Sequence, residues 1–130
     1  MTNSPSSVLD ASALIAVFNR EPGWQRVASP LSGFAISTVN WSEVLQKRVQ
    51  AGLSTENLQQ ALWGLGVTVE PFTSEDAEKT AALWFRTKDA GLSLADRACL
   101  ALAIRLQLPV LTADRAWRNL DIGVRIELIR

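Results

Sequence analysis

The sequence predicts a single α/β domain, built on a mostly parallel central sheet of about five strands with helices on both faces. Three observations carry that expectation. Short apolar runs alternate with helix-length amphipathic ones along the whole chain, the pattern that right-handed crossovers between parallel strands require. The 130 residues suffice for one domain that buries roughly two-thirds of its unfolded surface. No repeat, low-complexity tract or linker divides the run, so residues 1–6 read as a disordered tail and residues 7–130 as one unit.

The elements follow in order. "SVLD" reads as the first strand, followed by a helix from about Ser12 to Asn19. "EPGW" opens a second short helix through about Leu31. "GFAIS" is the second strand, and Thr38 is placed to cap a helix running to Ala51, closed by Gly52. Ser54 is placed to cap another helix, through about Leu62. "VTVEPF" alternates enough to be a strand with one face less buried. Thr73 or Ser74 caps a long helix ending near Asp89, with Gly91 just beyond. Ser93 and Asp96 form an S-x-x-D capping box for a helix over Leu94 to Leu106. "PVLTA" is the fourth strand, "DRAWRNL" a short helix and "VRIELI" the fifth strand.

Composition narrows the chemistry. There is no histidine, which excludes Ser-His-Asp and Cys-His nucleophilic catalysis and histidine-containing zinc sites. What remains for hydrolysis is carboxylates around a hard cation such as Mg²⁺ or Mn²⁺. The single cysteine, Cys99, excludes an internal disulfide, reads as a small core residue and fits a reducing cytoplasm. The longest unbroken apolar run, Ala98 to Ile104, is too short to span a bilayer, and "MTNSPSS" is not expected to be a signal peptide. Net charge is zero, but Arg97, Arg105, Arg115, Arg118, Arg125 and Arg130 crowd the last third.

In open parallel sheets, ligands bind beyond the C-terminal ends of the strands. Four acids fall there. Asp10 ends the first strand, Glu43 lies early in the helix after the second, Asp96 opens the helix before the fourth, and Asp114 follows the fourth. Each has an innocent alternative: acids in a first helical turn complement the macrodipole, Asp114 could cap "RAWRNL", and Glu43 could pair with Lys47 at i+4. Asp10 and Asp96 resist it. Asp10 is the only charge before Arg20, set in "SSVLDASALIAVF". Asp96 opens "LSLADRACLALAIRLQL", a helix apolar nearly all round and therefore expected to be buried. Unpaired carboxylates in such surroundings cost several kcal/mol or surrender their charge. A shared cation lets both ionise.

The blocks "VLDASALIAVF", "ISTVNWSEV", "GLSLADRACLALA" and "PVLTADRAW" together resemble the PIN-domain ribonucleases, specifically VapC-type toxins of toxin–antitoxin pairs. The resemblance covers about Val8 to Ile126. It implies an endoribonuclease whose Mg²⁺ or Mn²⁺ ligands match Asp10, Glu43, Asp96 and Asp114. Ser12, Asn40 and Thr112 match supporting positions that hold waters or orient carboxylates; alternatively, Ser12 is only a helix cap. It further implies RNA as substrate, a homodimer, and a VapB-type antitoxin whose C-terminal segment occupies the acidic groove. Arg97, Arg115 and Arg118, beside the acids in sequence, could hold flanking phosphates or pair with surface acids. Trp41 and Trp117 could stack bases, or pack in the core or a dimer interface. A receiver domain would need an adjacent acidic pair and a late lysine, and a haloacid-dehalogenase phosphatase D-x-D; neither pattern is present. A catalytically silent binding module on the same fold is the alternative.

Overall fold

Five strands assemble in the order β3-β2-β1-β4-β5, all parallel. They are β1 (Ser7–Leu9), β2 (Phe34–Ser37), β3 (Val67–Glu70), β4 (Val110–Thr112) and β5 (Ile126–Leu128). The helices are α1 (Ala11–Asn19), α2 (Thr38–Gln50), α3 (Leu58–Gly64), α4 (Ser74–Ala82), α5 (Trp84–Thr87) and α6 (Leu94–Leu106). This computed structural model describes residues 4–28 and 33–130. Residues 1–3 of the expected tail, and the end of the short helix expected to reach Leu31, lie outside them. Within the described part of that helix only Trp24–Arg26 forms a 3₁₀ turn.

Strand alternation places a core on each face of the sheet. Leu9, Phe34, Ile36, Val67 and Leu111 pack with Leu14, Val44 and Leu62 of α1, α2 and α3. Val8, Ala35 and Val110 point the other way, against Cys99 and Leu102 of α6 and against Trp117. The expected two-sided sandwich is therefore the observed one. The outermost strand β3 is buried at Val67 and open at Thr68, as its alternation indicated.

Chain direction across the sheet reverses at β1, which has β2 on one side and β4 on the other. That is the switch point at which open α/β sheets leave a crevice. Asp10 and Asp114 lie just beyond the C-terminal ends of β1 and β4.

Several local expectations shift. Ser37, not Thr38, caps α2, its hydroxyl accepting from the Val39 amide at 3.2 Å. Thr38 Oγ1 accepts instead from the Phe72 amide at 3.1 Å, tying α2 to the segment after β3. Ser54 closes a turn on the Glu56 amide, and α3 starts only after Asn57, which holds a left-handed conformation at φ 64°. The long helix expected to reach Asp89 breaks after Ala82. Buried Thr87 donates to the Leu83 carbonyl at 2.8 Å, a back-bond that bends helices, and the chain continues as α5 and a 3₁₀ turn over Lys88–Ala90. "DRAWRNL" forms only a 3₁₀ turn over Arg115–Trp117. Ser6, placed in the tail by the sequence reading, donates through both its amide and its hydroxyl to the Gly33 carbonyl.

Two ties fix the frame of the sandwich. Arg105 of α6 meets buried Asp76 of α4 at 2.8 Å, and Asp76 also closes a capping box with Thr73. At the other end, Arg130 donates to the Pro22 carbonyl and Arg26 to the Leu128 carbonyl, clasping the C-terminus. Gly23 is what permits that clasp. Its φ is +91°, and a Cβ there would stand 2.1 Å from the Ile129 carbonyl oxygen. Gly23→Ala is therefore expected to lower stability by more than about 1 kcal/mol, since both backbone and neighbour oppose it. A thermal melt indistinguishable from the wild type would contradict this.

Candidate metal centre

Asp10 is 4% exposed and occupies the N-cap position of α1, yet its side chain caps nothing. Its amide donates to the Leu111 carbonyl, which fixes the residue between β1 and β4. Oδ2 accepts from Ser12 Oγ at 2.7 Å and from Thr112 Oγ1 at 2.9 Å. The two hydroxyls are themselves positioned, because Ser12 Oγ accepts from the Ala113 amide and Thr112 Oγ1 from the Asp114 amide. Their protons are thus free to aim at Asp10. No hydrogen bond among the described residues reaches Oδ1 of Asp10. Ser12 is therefore no helix cap; with Thr112 it orients one oxygen of the carboxylate and leaves the other uncommitted.

Burial pushes the Asp10 carboxyl up to about 6; the two hydroxyls work against that rise, and the charges of Asp96 and Glu43 add to it. Glu43, half-buried on α2, is also raised, first by burial and then by Asp96, while the Asn40 amide and Lys47 oppose the rise. Asn40 Nδ2 donates to Glu43 Oε1 at 2.9 Å. The alternative pairing of Glu43 with Lys47 is a field effect only, with no ion pair between them among the described residues. The charges of Asp96 and Glu43 thus bear on Asp10, and that of Asp96 on Glu43, as unneutralised carboxylates must in a poorly solvated crevice.

Asp96 is half-buried, not buried as the apolar helix suggested. It closes the expected capping box: its Oδ2 accepts from the Ser93 amide at 2.9 Å, and the Ser93 hydroxyl accepts from the Asp96 amide. Asp114 is exposed and caps the turn after β4 through the Ala116 amide at 2.9 Å. Its charge is not among those felt by Asp10 or Glu43. Among the described residues no three acids stand close enough to form a ready-made cation cage. Mg²⁺ or Mn²⁺ nevertheless suits the donors present. All are hard oxygens, Asp10 offers a free one from a buried site, and a cation would relieve the strain that raises Asp10 and Glu43.

Arg97 differs from the expectation. Its guanidinium turns to α4 and donates to the Thr80 carbonyl at 2.8 Å, because α6 packs on α4 along this side. Arg115 and Arg118 stay exposed beside Asp114. Trp117 is 0% exposed and belongs to the core, so it stacks no base; Trp41 is half-buried on α2. Cys99 is wholly buried, its thiol donating to the Leu9 carbonyl at 3.6 Å and pushed well up by burial. Sequence reasoning missed the bond from Asn40 Nδ2 to the Ala95 carbonyl, 2.9 Å across to the first turn of α6.

Among curated proteins none matches the chain significantly. Solved structures do. A toxin–antitoxin complex from Klebsiella pneumoniae is 22% identical with a TM-score of 0.75, covering 96% of this chain and 98% of that one. A DNA-bound VapBC complex from Salmonella typhimurium is 19% identical with a TM-score of 0.77, covering 98% and 100%. A sarcin–ricin loop cleaving toxin from Mycobacterium tuberculosis is 18% identical with a TM-score of 0.71, covering 92% and 99%. At these identities the likeness establishes a shared fold. The profile of the PIN domain matches residues 7–123, nearly the whole of the sandwich and all four acids, and the chain therefore belongs to the PIN-domain family.

Proposed function

We propose that this protein is a Mg²⁺- or Mn²⁺-dependent endoribonuclease and the toxin of a toxin–antitoxin pair. The observation that carries the reading is Asp10, a buried carboxylate held by two hydroxyls through one oxygen, with Glu43 and Asp96 pressing on it across the switch point. Support for the toxin role comes from the folds it resembles, which include a toxin–antitoxin complex and an RNA-cleaving toxin.

Asp10, Glu43, Asp96 and Asp114 would hold the ion. Bound there, a divalent cation supplies an acidified water and stabilises charge on the leaving oxygen of a phosphodiester. The chain's own residues do the rest. Ser12 and Thr112 keep Asp10 in one orientation. Arg115 and Arg118, exposed next to Asp114, offset the repulsion between the acids and RNA by gripping flanking phosphates. No side-chain nucleophile is required, which suits a chain without histidine. The arginine-containing tail of a VapB-type antitoxin would neutralise the same carboxylates and so silence the enzyme. We assign it a homodimeric, cytoplasmic life among its RNA substrates; no helix among the described residues is long and apolar enough to cross a membrane.

Cleavage of an RNA substrate is expected with Mn²⁺ and none with excess EDTA, with activity restored on adding Mn²⁺ back. Cleavage that continues in EDTA overturns the metal-dependent mechanism. Absence of cleavage under every metal condition favours the silent binding module instead.

A further inference from the structure

A crevice of carboxylates repels a polyanion, so an RNA strand that reaches Asp10 needs cations close beside its path. A chain of contacts leads from Asp10 to such groups. Thr112 Oγ1 donates to Asp10, and Thr112 lies opposite Leu128 on β5. Arg125 and Ile129 turn their backbone groups to β4, so the Leu128 carbonyl faces away from it, and it accepts from Arg26. Arg26 therefore stands at the outer edge of β5, two strand spacings or about 10 Å across from β1.

Two more arginines gather there. The Arg130 guanidinium donates to the Pro22 carbonyl at 3.0 Å and reaches Glu21 at 3.4 Å. Arg20 lies over the Trp24 ring, 5.1 Å from its centroid, and has no ion pair or side-chain hydrogen bond among the described residues. All three arginines are exposed, and Glu21 is the one acid in residues 20–26. Gly23 lets this loop close onto Ile129, so the cations stand on a fixed floor. Clasping the C-terminus does not account for them. A guanidinium carries five donors, and one carbonyl leaves most of them for an anionic partner; Arg20 clasps nothing.

We propose that Arg20, Arg26 and Arg130 form a second phosphate-binding surface for RNA along the outer edge of β5, with the Trp24 ring holding Arg20 by cation–π attraction. The proposal rests on the ribonuclease reading above and gives the strand a path. Trp117, between Arg115 and Arg118, packs into the core on the α6 side of the sheet, whereas Trp24 packs against the core on the α1 side. The two sets of arginines thus flank the acids from opposite faces, and the strand crosses the sheet edge between them.

The test is binding of a fluorescein-labelled oligouridine of about a dozen nucleotides in EDTA, followed by anisotropy over a range of salt. Arg20→Gln and Arg26→Gln are each expected to weaken binding about threefold to tenfold at low salt. Each should also make the slope of log K against log salt shallower by about 0.7, the value for one lost contact to a single strand. Arg125→Gln removes the same charge before β5, where Arg125 pairs with Glu127 at 2.6 Å, and is expected to leave the slope unchanged. Glu21→Gln covers an arginine variant that fails to fold: it frees Arg130 and is expected to steepen the slope by up to about 0.7. Wild-type slopes in Arg20→Gln and Arg26→Gln, or a Glu21→Gln slope no steeper than wild type, overturn the surface. A change that Arg125→Gln shows equally reflects overall charge and overturns it too. In those cases Mn²⁺-dependent cleavage with a wild-type KM leaves the ribonuclease reading standing. A wild type that binds no oligouridine overturns the surface, and one that also cuts no RNA overturns both.

Discussion

Asp10→Asn is expected to reduce Mn²⁺-dependent RNA cleavage by on the order of a thousandfold. A cation acting on a phosphodiester contributes several kcal/mol to the transition state, at about 1.4 kcal/mol per factor of ten. Asp10 is the most buried of the four acids, and it offers the free oxygen. An asparagine fits the same space: its oxygen accepts from Ser12 and Thr112, and its neutral amide takes the uncommitted position. The fold should therefore survive while the anionic ligand is lost. The check is kcat/KM with saturating Mn²⁺ alongside a melt showing the variant folded. A folded variant within about threefold of wild type would remove Asp10 from the site.

The second large effect is on stability, and its sign follows from the direction of the shift. Asp10 is held at about 6 in the folded protein against 3.8 in its absence, first by burial and then by Asp96 and Glu43. Below the lower value both states are protonated and nothing is lost. As pH rises from 3.8 to about 6, the folded state keeps a proton that the unfolded state has released, so stability falls, and the loss is complete once pH has passed about 6. The loss is about 3 kcal/mol by pH 7.5, at about 1.4 kcal/mol per unit. Metal-free Asp10→Asn carries no such titration. Between pH 4 and pH 7.5 the wild type should therefore lose roughly that amount relative to the variant in urea unfolding. A difference that is constant with pH would mean that Asp10 is an ordinary, well-solvated carboxylate.

Much of this was legible in the sequence because it is local or periodic. The five strands followed from short apolar runs, and the S-x-x-D box at Ser93 and Asp96 fixed the start of α6. Asp10 announced itself as the lone charge in an apolar stretch. What was not legible depends on how elements pack. Arg97 and Arg115 each directly follow an acid in sequence, Asp96 and Asp114, yet the packing of α6 on α4 turns Arg97 away to Thr80 while Arg115 stays exposed. The hydrogen bond from Asn40 to the Ala95 carbonyl joins two helices that share no sequence signal. Trp117, open in the sequence to base stacking or to packing, is decided only by its turn being pressed into the core. The break after Ala82 goes with the bond from the buried Thr87 hydroxyl to the Leu83 carbonyl, which the helical periodicity of that stretch does not show. The same applies to Asp96, where a helix apolar nearly all round still exposes its first turn.

The central claim is that Asp10, Glu43, Asp96 and Asp114 hold a cation and are not a set of caps and structural acids. Thermal unfolding of wild type and Asp10→Asn at pH 7.5, each in EDTA and in Mn²⁺, tests it most directly. In EDTA the variant should melt at or above the wild type, because it is relieved of a buried charge. Mn²⁺ should then raise the wild type by about 2.7 kcal/mol at a hundred times its dissociation constant and raise the variant far less. The opposite order, with Asp10→Asn melting lower in EDTA and Mn²⁺ leaving both unchanged, would contradict the account.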